Sequence, residues 1–114
     1  MSDPIENRVI RMHAAAVVCA DRGLRVTYGE LAGYIGRAGQ QGALDSDFGR
    51  WAKWLKSKKL PLLYVIVINK KTGAPGKDCD VPRESVPEEQ AKCYEYDWSK
   101  APQPTILELE ALRN

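Results

Sequence analysis

The segment Val26-Thr27-Tyr28-Gly29-Glu30-Leu31 constrains this chain most, because its residue types specify a helix start. Thr27 can accept from the backbone of Glu30, Glu30 can reach back to the Thr27 N–H, and Val26 and Leu31 sit where a hydrophobic staple belongs. The helix started there, about residues 28–35, must stop near Gly36, since glycine readily takes the left-handed conformation that ends helices. A glycine-rich polar loop follows, Arg37-Ala38-Gly39-Gln40-Gln41-Gly42, longer than a tight helix-turn-helix turn. A second amphipathic helix is expected from about Leu44 to Lys58, where Leu44, Phe48, Trp51 and Leu55 share one face. Arg50, Lys53, Trp54 and Ser57 lie on its other faces. After Pro61 the run Leu62-Leu63-Tyr64-Val65-Ile66-Val67-Ile68 is continuously apolar and rich in β-branched residues, the pattern of a strand buried on both sides.

Helix, turn, helix and apolar strand is the chain order of a winged helix. The expected fold is therefore α+β, a single winged-helix-like domain over about residues 1–78 (helix-turn-helix plus a small sheet). Residues 79–114 form an acidic, proline-punctuated C-terminal extension. Ahead of this unit, Asp3, Pro4 and Glu6 predict the capped start of a first helix. Its stripe Ile5, Val9, Met12 and Ala16 should face the core, and Gly23 should end it. Leu24-Arg25-Val26 reads as an extended link able to pair with a later strand. Asn69 to Lys77 is a run of turn-formers with three lysines, a basic wing or hairpin tip. In the extension, residues 88–93 suit a short helix, Tyr94 to Trp98 alternates like a half-exposed strand, and Thr105 can cap a last helix through Leu112.

The net charge of +2 hides a segregation: residues 1–77 carry 13 Lys/Arg against 6 Asp/Glu, and residues 78–114 carry 4 against 9. A segregated field points to a polyanion partner, or else to an acidic end that packs on the basic one. Three cysteines without metal-like spacing read as reduced thiols of a cytoplasmic protein. No apolar run approaches the ~20 residues of a membrane span, and the N-terminus lacks the pattern of a signal peptide. A single histidine, His13, lies in an apolar helix and reads as a core residue. No metal or cofactor is expected.

The candidate DNA-binding residues are Arg50, Lys53, Trp54 and Ser57 on the second amphipathic helix, because a helix fits the major groove and Arg or Lys matches guanine acceptors. Lys70, Lys71 and Lys77 of the wing join them as backbone contacts. Each set has a plain structural alternative: a solvated basic helix face, a tryptophan at the core edge, a soluble hairpin tip. Thr72 to Lys77 lacks phosphate-loop spacing. Asp78, Asp80 and Glu84 could hold a divalent cation only in a nuclease-like site that lacks its usual lysine. Tyr94, Tyr96 and Trp98 can stack bases, but Glu95 and Asp97 between them repel phosphate, which makes a protein interface the better reading.

Read in order, Val26-Thr27-Tyr28-Gly29-Glu30-Leu31-Ala32, Gly36, a helix, Leu60-Pro61-Leu62, and Tyr64-Val65-Ile66 with Asn69 and Gly73 resemble the C-terminal domain of O6-alkylguanine-DNA alkyltransferases and the non-catalytic alkyltransferase-like proteins. The resemblance covers about residues 5–76. The chain is also similar to small bacterial or phage proteins that share its "I-N-K-x-T-G-x-P-G" and "D-W" segments, which imply no known activity. Where the family reads "P-C-H-R-V-I", this chain has Leu62-Leu63-Tyr64-Val65-Ile66-Val67, without the cysteine nucleophile or its histidine. Alkyl transfer needs an activated thiolate, so the resemblance implies a winged-helix DNA binder without catalysis. It places Tyr28 at the tyrosine used near the DNA phosphate and the flipped nucleotide, and offers Arg37 or Arg50 in place of the arginine finger.

The sequence thus predicts a non-catalytic DNA-binding winged-helix protein with a regulatory, repair-related or mobile-element role. The alternative is a protein-interaction module, a subunit or inhibitor of a nucleic-acid or defence enzyme, docking through its C-terminal aromatic and acidic segment.

Overall fold

α1 (Ile5–Asp21) is the axis around which the other elements pack. Its apolar stripe places Val9, Met12, Ala16 and Ala20 in the core, and Gly23 at φ +67° ends it as expected. The computed structural model describes residues 4–40, 44–76 and 79–113, so the expected Asp3 cap lies outside the described residues. Glu6, the other half of that expected box, is buried and pairs with Arg50.

The link after α1 enters β1 (Val26–Thr27), and α2 (Tyr28–Tyr34) begins at once. Its capping box is complete: the Glu30 N–H donates to Thr27 Oγ1 at 3.1 Å, and the Thr27 N–H donates to Glu30 Oε1 at 2.9 Å. Gly36 at φ +81° ends the segment. α3 (Asp45–Ser57) follows within a residue of its expected limits. Lys59 closes it in the left-handed region, φ 57°, a position glycine usually fills.

The apolar run after Pro61 departs from expectation. Leu63–Ile66 forms a 3-10 turn, and only Val67–Ile68, β2, is extended. A seven-residue strand needs partners of comparable length, because buried backbone N–H and C=O groups must be paired. Here the available partner is the two-residue β1, in the parallel register Val26↔Val67 and Thr27↔Ile68. Turning solves the problem locally: the Val65 N–H donates to the Leu62 carbonyl, and Gln90 Nε2 donates to the Val65 carbonyl at 2.9 Å. The link from Leu24 to Val26 does pair with this later strand. The sheet contains only this parallel pair, so no antiparallel hairpin occurs among the described residues.

α4 (Val86–Glu95) runs on through Tyr94 and Glu95, the first residues of the expected aromatic strand, and a 3-10 turn, Trp98–Lys100, takes up its end, so no strand forms there. α5 (Ile106–Ala111) starts at a second capping box, Thr105 with Glu108, and folds back onto α1 and α3. The chain is a compact α+β unit, 60% helical, with a radius of gyration of 13.1 Å, close to the ~13 Å expected for a single domain of this size. No helix among the described residues is long and apolar enough to cross a membrane.

All three tryptophans converge on His13. Trp51 Nε1 donates to His13 Nδ1 at 3.1 Å, and the rings of Trp54 and Trp98 meet the imidazole edge-on at 5.1 and 5.9 Å. Burial pulls the His13 pKa down to about 4, because a charged imidazolium is disfavoured where water is excluded.

Candidate functional site

The capping box that starts α2 also positions Tyr28, and Tyr28 lines a surface groove. Its ring meets Phe48 of α3 edge-on at 5.3 Å, and its hydroxyl oxygen accepts the Gly76 N–H at 2.8 Å. A Cβ at position 76 would stand 2.8 Å from that oxygen, so glycine is what lets the loop close on the tyrosine. The loop is folded by its own polar groups. The Asn69 N–H donates to the Ala74 carbonyl, the Gly73 N–H to the Asn69 carbonyl, and the Lys71 N–H to Asn69 Oδ1, each at 2.8 Å. Gly73 at φ +69° allows the reversal. Lys70 and Lys71 are exposed on this loop.

Between the loop and α3 lies an open groove of about 910 Å³. Tyr28 and Phe48 wall it, Gly49 and Ala52 keep the α3 side shallow, and Asn69 and Thr72 form the loop side. Across it, Asp80 accepts from the Tyr64 hydroxyl at 2.6 Å and from the Lys56 ammonium. The Lys56 contact and then the Tyr64 hydrogen bond hold the Asp80 carboxyl below its ordinary pKa. Burial, reinforced by Asp80, pushes the Tyr64 phenol up. The Cys79 thiol beside them is also pushed up, first by burial. A raised thiol pKa is the opposite of what a nucleophile needs. No cluster of metal-ligating side chains occurs among the described residues.

The expected DNA-binding face of α3 divides. Lys53 is exposed, and Ser57 is exposed with its hydroxyl donating to the Trp54 carbonyl at 2.7 Å. Trp54 is fully buried, with Nε1 directed to Glu108 at 3.4 Å. Arg50 is turned inward: Nη1 donates to Glu6 at 2.7 Å and to the Leu109 carbonyl at 3.1 Å. Both corrections have one cause. α3 is packed by α1 on one side and by α5 on another, so positions off its main apolar stripe are also covered. Lys56 pairs with Asp80, and Lys58, just past the helix end, pairs with Glu108. The acidic C-terminal segment thus does pack on part of the basic one.

Arg37 bonds Gln40 at 3.3 Å in the loop leaving α2 and does not border the groove. Lys77 and Asp78 lie outside the described residues. The C-terminal aromatics do not form one exposed strip. Trp98 is in the core and donates to the Cys93 carbonyl at 2.8 Å, Tyr96 packs on Trp98 at 4.8 Å between ring centres, and Tyr94 is half-buried on α4. Of the expected residues Tyr28 lines the groove, and Lys70 and Lys71 stand exposed between its loop-side residues Asn69 and Thr72 without lining it themselves. Sequence reasoning missed the Gly49 and Ala52 side of the groove and the arginines Arg25 and Arg83 near its loop. The spacing of Asp45, Phe48, Gly49 and Ala52 along one helical line was the available signal.

Comparison of the chain with protein-family models, with curated proteins and with solved structures gives no match.

Proposed function

We propose that this chain is a non-catalytic DNA-binding protein, a winged-helix variant in which the Asn69–Gly76 loop serves as the wing. DNA is taken at the groove beside Tyr28, and Lys70 and Lys71 grip the phosphate backbone. The observation that carries the reading is the placement of this 910 Å³ groove. An aromatic wall stands on one side, and on the other is a loop whose two exposed lysines have no carboxylate partner among the described residues. Aromatic faces and flexible cations are the two elements that hold a nucleic-acid strand without sequence readout. The resemblance to alkyltransferase-like proteins supports the same place, since Tyr28 stands at that family's nucleotide-side tyrosine. Lys53 adds a cation on the outer side of α3. The reading excludes alkyl transfer: Leu63 occupies the family's cysteine position, and burial pushes the Cys93 thiol up to about 12. A regulatory, repair-related or mobile-element role in the cytoplasm fits a small binder of this kind.

The test is fluorescence anisotropy with a labelled duplex across a salt series. Binding should weaken by a log–log slope of about 0.9 for each phosphate engaged, and replacing both Lys70 and Lys71 by alanine should lower that slope by about 1 to 2. Absence of salt-dependent binding to duplex DNA, single-stranded DNA and RNA alike would overturn the reading.

A second reading, a protein-interaction module acting as a subunit or inhibitor of a nucleic-acid or defence enzyme, is favoured by α5, where Leu107 is 78% and Ile106 46% exposed. It requires that Leu107→Asp abolish a co-purifying partner while leaving DNA affinity unchanged.

A further inference from the structure

The large groove shares a ridge, Ala74–Gly76 with Cys79 and Arg83, with an adjoining depression of about 470 Å³. Their chemistry differs. Asp45 and Asp80 border the large groove. Arg25 and Arg83 border the smaller one, and no aspartate or glutamate does so among the described residues. Arg25 is held at the loop, its Nη1 donating to the Gly73 carbonyl at 3.3 Å, which leaves most of its five N–H donors for another acceptor. Arg83 is exposed just ahead of α4 and borders both depressions. Neither guanidinium has a carboxylate partner among the described residues. The other walls, Val81, Val86 and Pro87, supply no competing charge.

A permanently charged planar guanidinium presents paired N–H groups that match phosphate oxygens, and two of them around a depression that no described carboxylate borders favour a dianion or a phosphodiester over a cation. We propose that the smaller groove is a phosphate-binding site in which Arg25 and Arg83 hold one phosphate group. The inference rests on the DNA-binding reading for its natural ligand. A strand that occupies the large groove crosses Arg83 to enter the smaller one.

The experiment pairs Arg83→Gln with the unaltered chain in the anisotropy salt series. Arg25→Gln is a supporting variant, because Arg25 also anchors the loop. Arg83→Gln should weaken DNA binding about 3- to 10-fold at low salt and reduce the log–log slope by about 0.7 to 0.9, with the thermal midpoint unchanged. If the unaltered chain binds DNA steeply and Arg83→Gln leaves the slope as it was, the arginine site is wrong and the DNA reading survives. If the unaltered chain binds no nucleic acid, the DNA reading fails, and titration with inorganic phosphate decides the site by NMR. Arg25 and Arg83 side-chain Nε–H shifts that saturate together support it, with free phosphate as the source. Unmoved signals overturn it.

Discussion

Arg50 reaches Glu6 and the Leu109 carbonyl, Lys56 reaches Asp80, and Lys58 reaches Glu108. A few residues on, Lys70 and Lys71 stand exposed without a carboxylate partner among the described residues. In the sequence the two groups look alike. In the molecule Arg50, Lys56 and Lys58 tie distant elements together, while the Lys70 and Lys71 side chains hold nothing in place. A cation near a long-range acidic partner becomes part of the fold, and net charge along the chain does not reveal which cations remain available to a ligand.

The α3 side of this comparison breaks most visibly at Asp47. It is fully buried and receives Arg8 Nε and Nη2 at 2.6 and 3.0 Å, joining α1 to α3. Asp47→Ala removes the acceptor and leaves a half-buried guanidinium without it, a change expected to cost about 3–5 kcal/mol. Urea denaturation measures this directly. A cost under ~1 kcal/mol would mean that the tie is no stronger than an exposed ion pair.

His13 gives the next largest effect and depends on pH. Its folded pKa of about 4 lies below the ordinary 6.5, so the unfolded chain binds the proton more readily. The contribution is therefore complete above pH 6.5 and is lost as the pH falls from 6.5 toward 4, by about 3 kcal/mol in all. Stability measured against pH should decline through that window in the parent chain and much less in His13→Gln. A flat profile between pH 7 and 5 would show that the tryptophan cage admits charge. Lys70 and Lys71 lie outside this core, so their replacement should leave the profile unchanged.

The two capping boxes show how much was legible beforehand. Thr27 with Glu30 was readable as a box and Thr105 as a helix cap, because the spacing alone carries the chemistry, while the Glu108 half of the second box emerged with the structure. Gly23 and the limits of α3 were readable for the same local reason. The 3-10 turn at Leu63–Ile66 was not, since a short apolar run does not say whether it will find strand partners. The burial of Arg50 and Trp54 was equally hidden: it depends on α5, whose Leu109 carbonyl and Glu108 lie more than fifty residues along the chain. Of the candidate site, Tyr28 and the loop lysines were visible as motif residues. The groove between Tyr28 and the loop depends on the Gly76 contact with the Tyr28 hydroxyl, and Arg25 reaches that loop at the Gly73 carbonyl, both contacts made across 48 residues of chain. The boxes also differ in load. Glu30 caps its helix, whereas Glu108 caps, pairs with Lys58 and accepts from Trp54, with Lys58 the main cause of its lowered pKa. Glu108→Ala should cost about 1–2 kcal/mol and Glu30→Ala about 0.5–1. Equal losses would mean that the tie from α3 to α5 adds nothing to the cap.

The smallest expected change tests the loop side. Replacing Lys70 and Lys71 together by alanine should shift stability by less than about 0.5 kcal/mol, as surface substitutions away from caps and buried pairs do. The bonds that shape the loop come from Asn69, Thr72, Gly73 and the Tyr28 hydroxyl, and the lysines contribute only the Lys71 backbone N–H, which alanine keeps. A loss above 1 kcal/mol in urea denaturation would place these side chains among the ties of the fold and erase their difference from the α3 cations. Unchanged stability with a reduced salt dependence of DNA binding separates the two roles within one variant, because the same substitution is then silent for folding and costly for the polyanion.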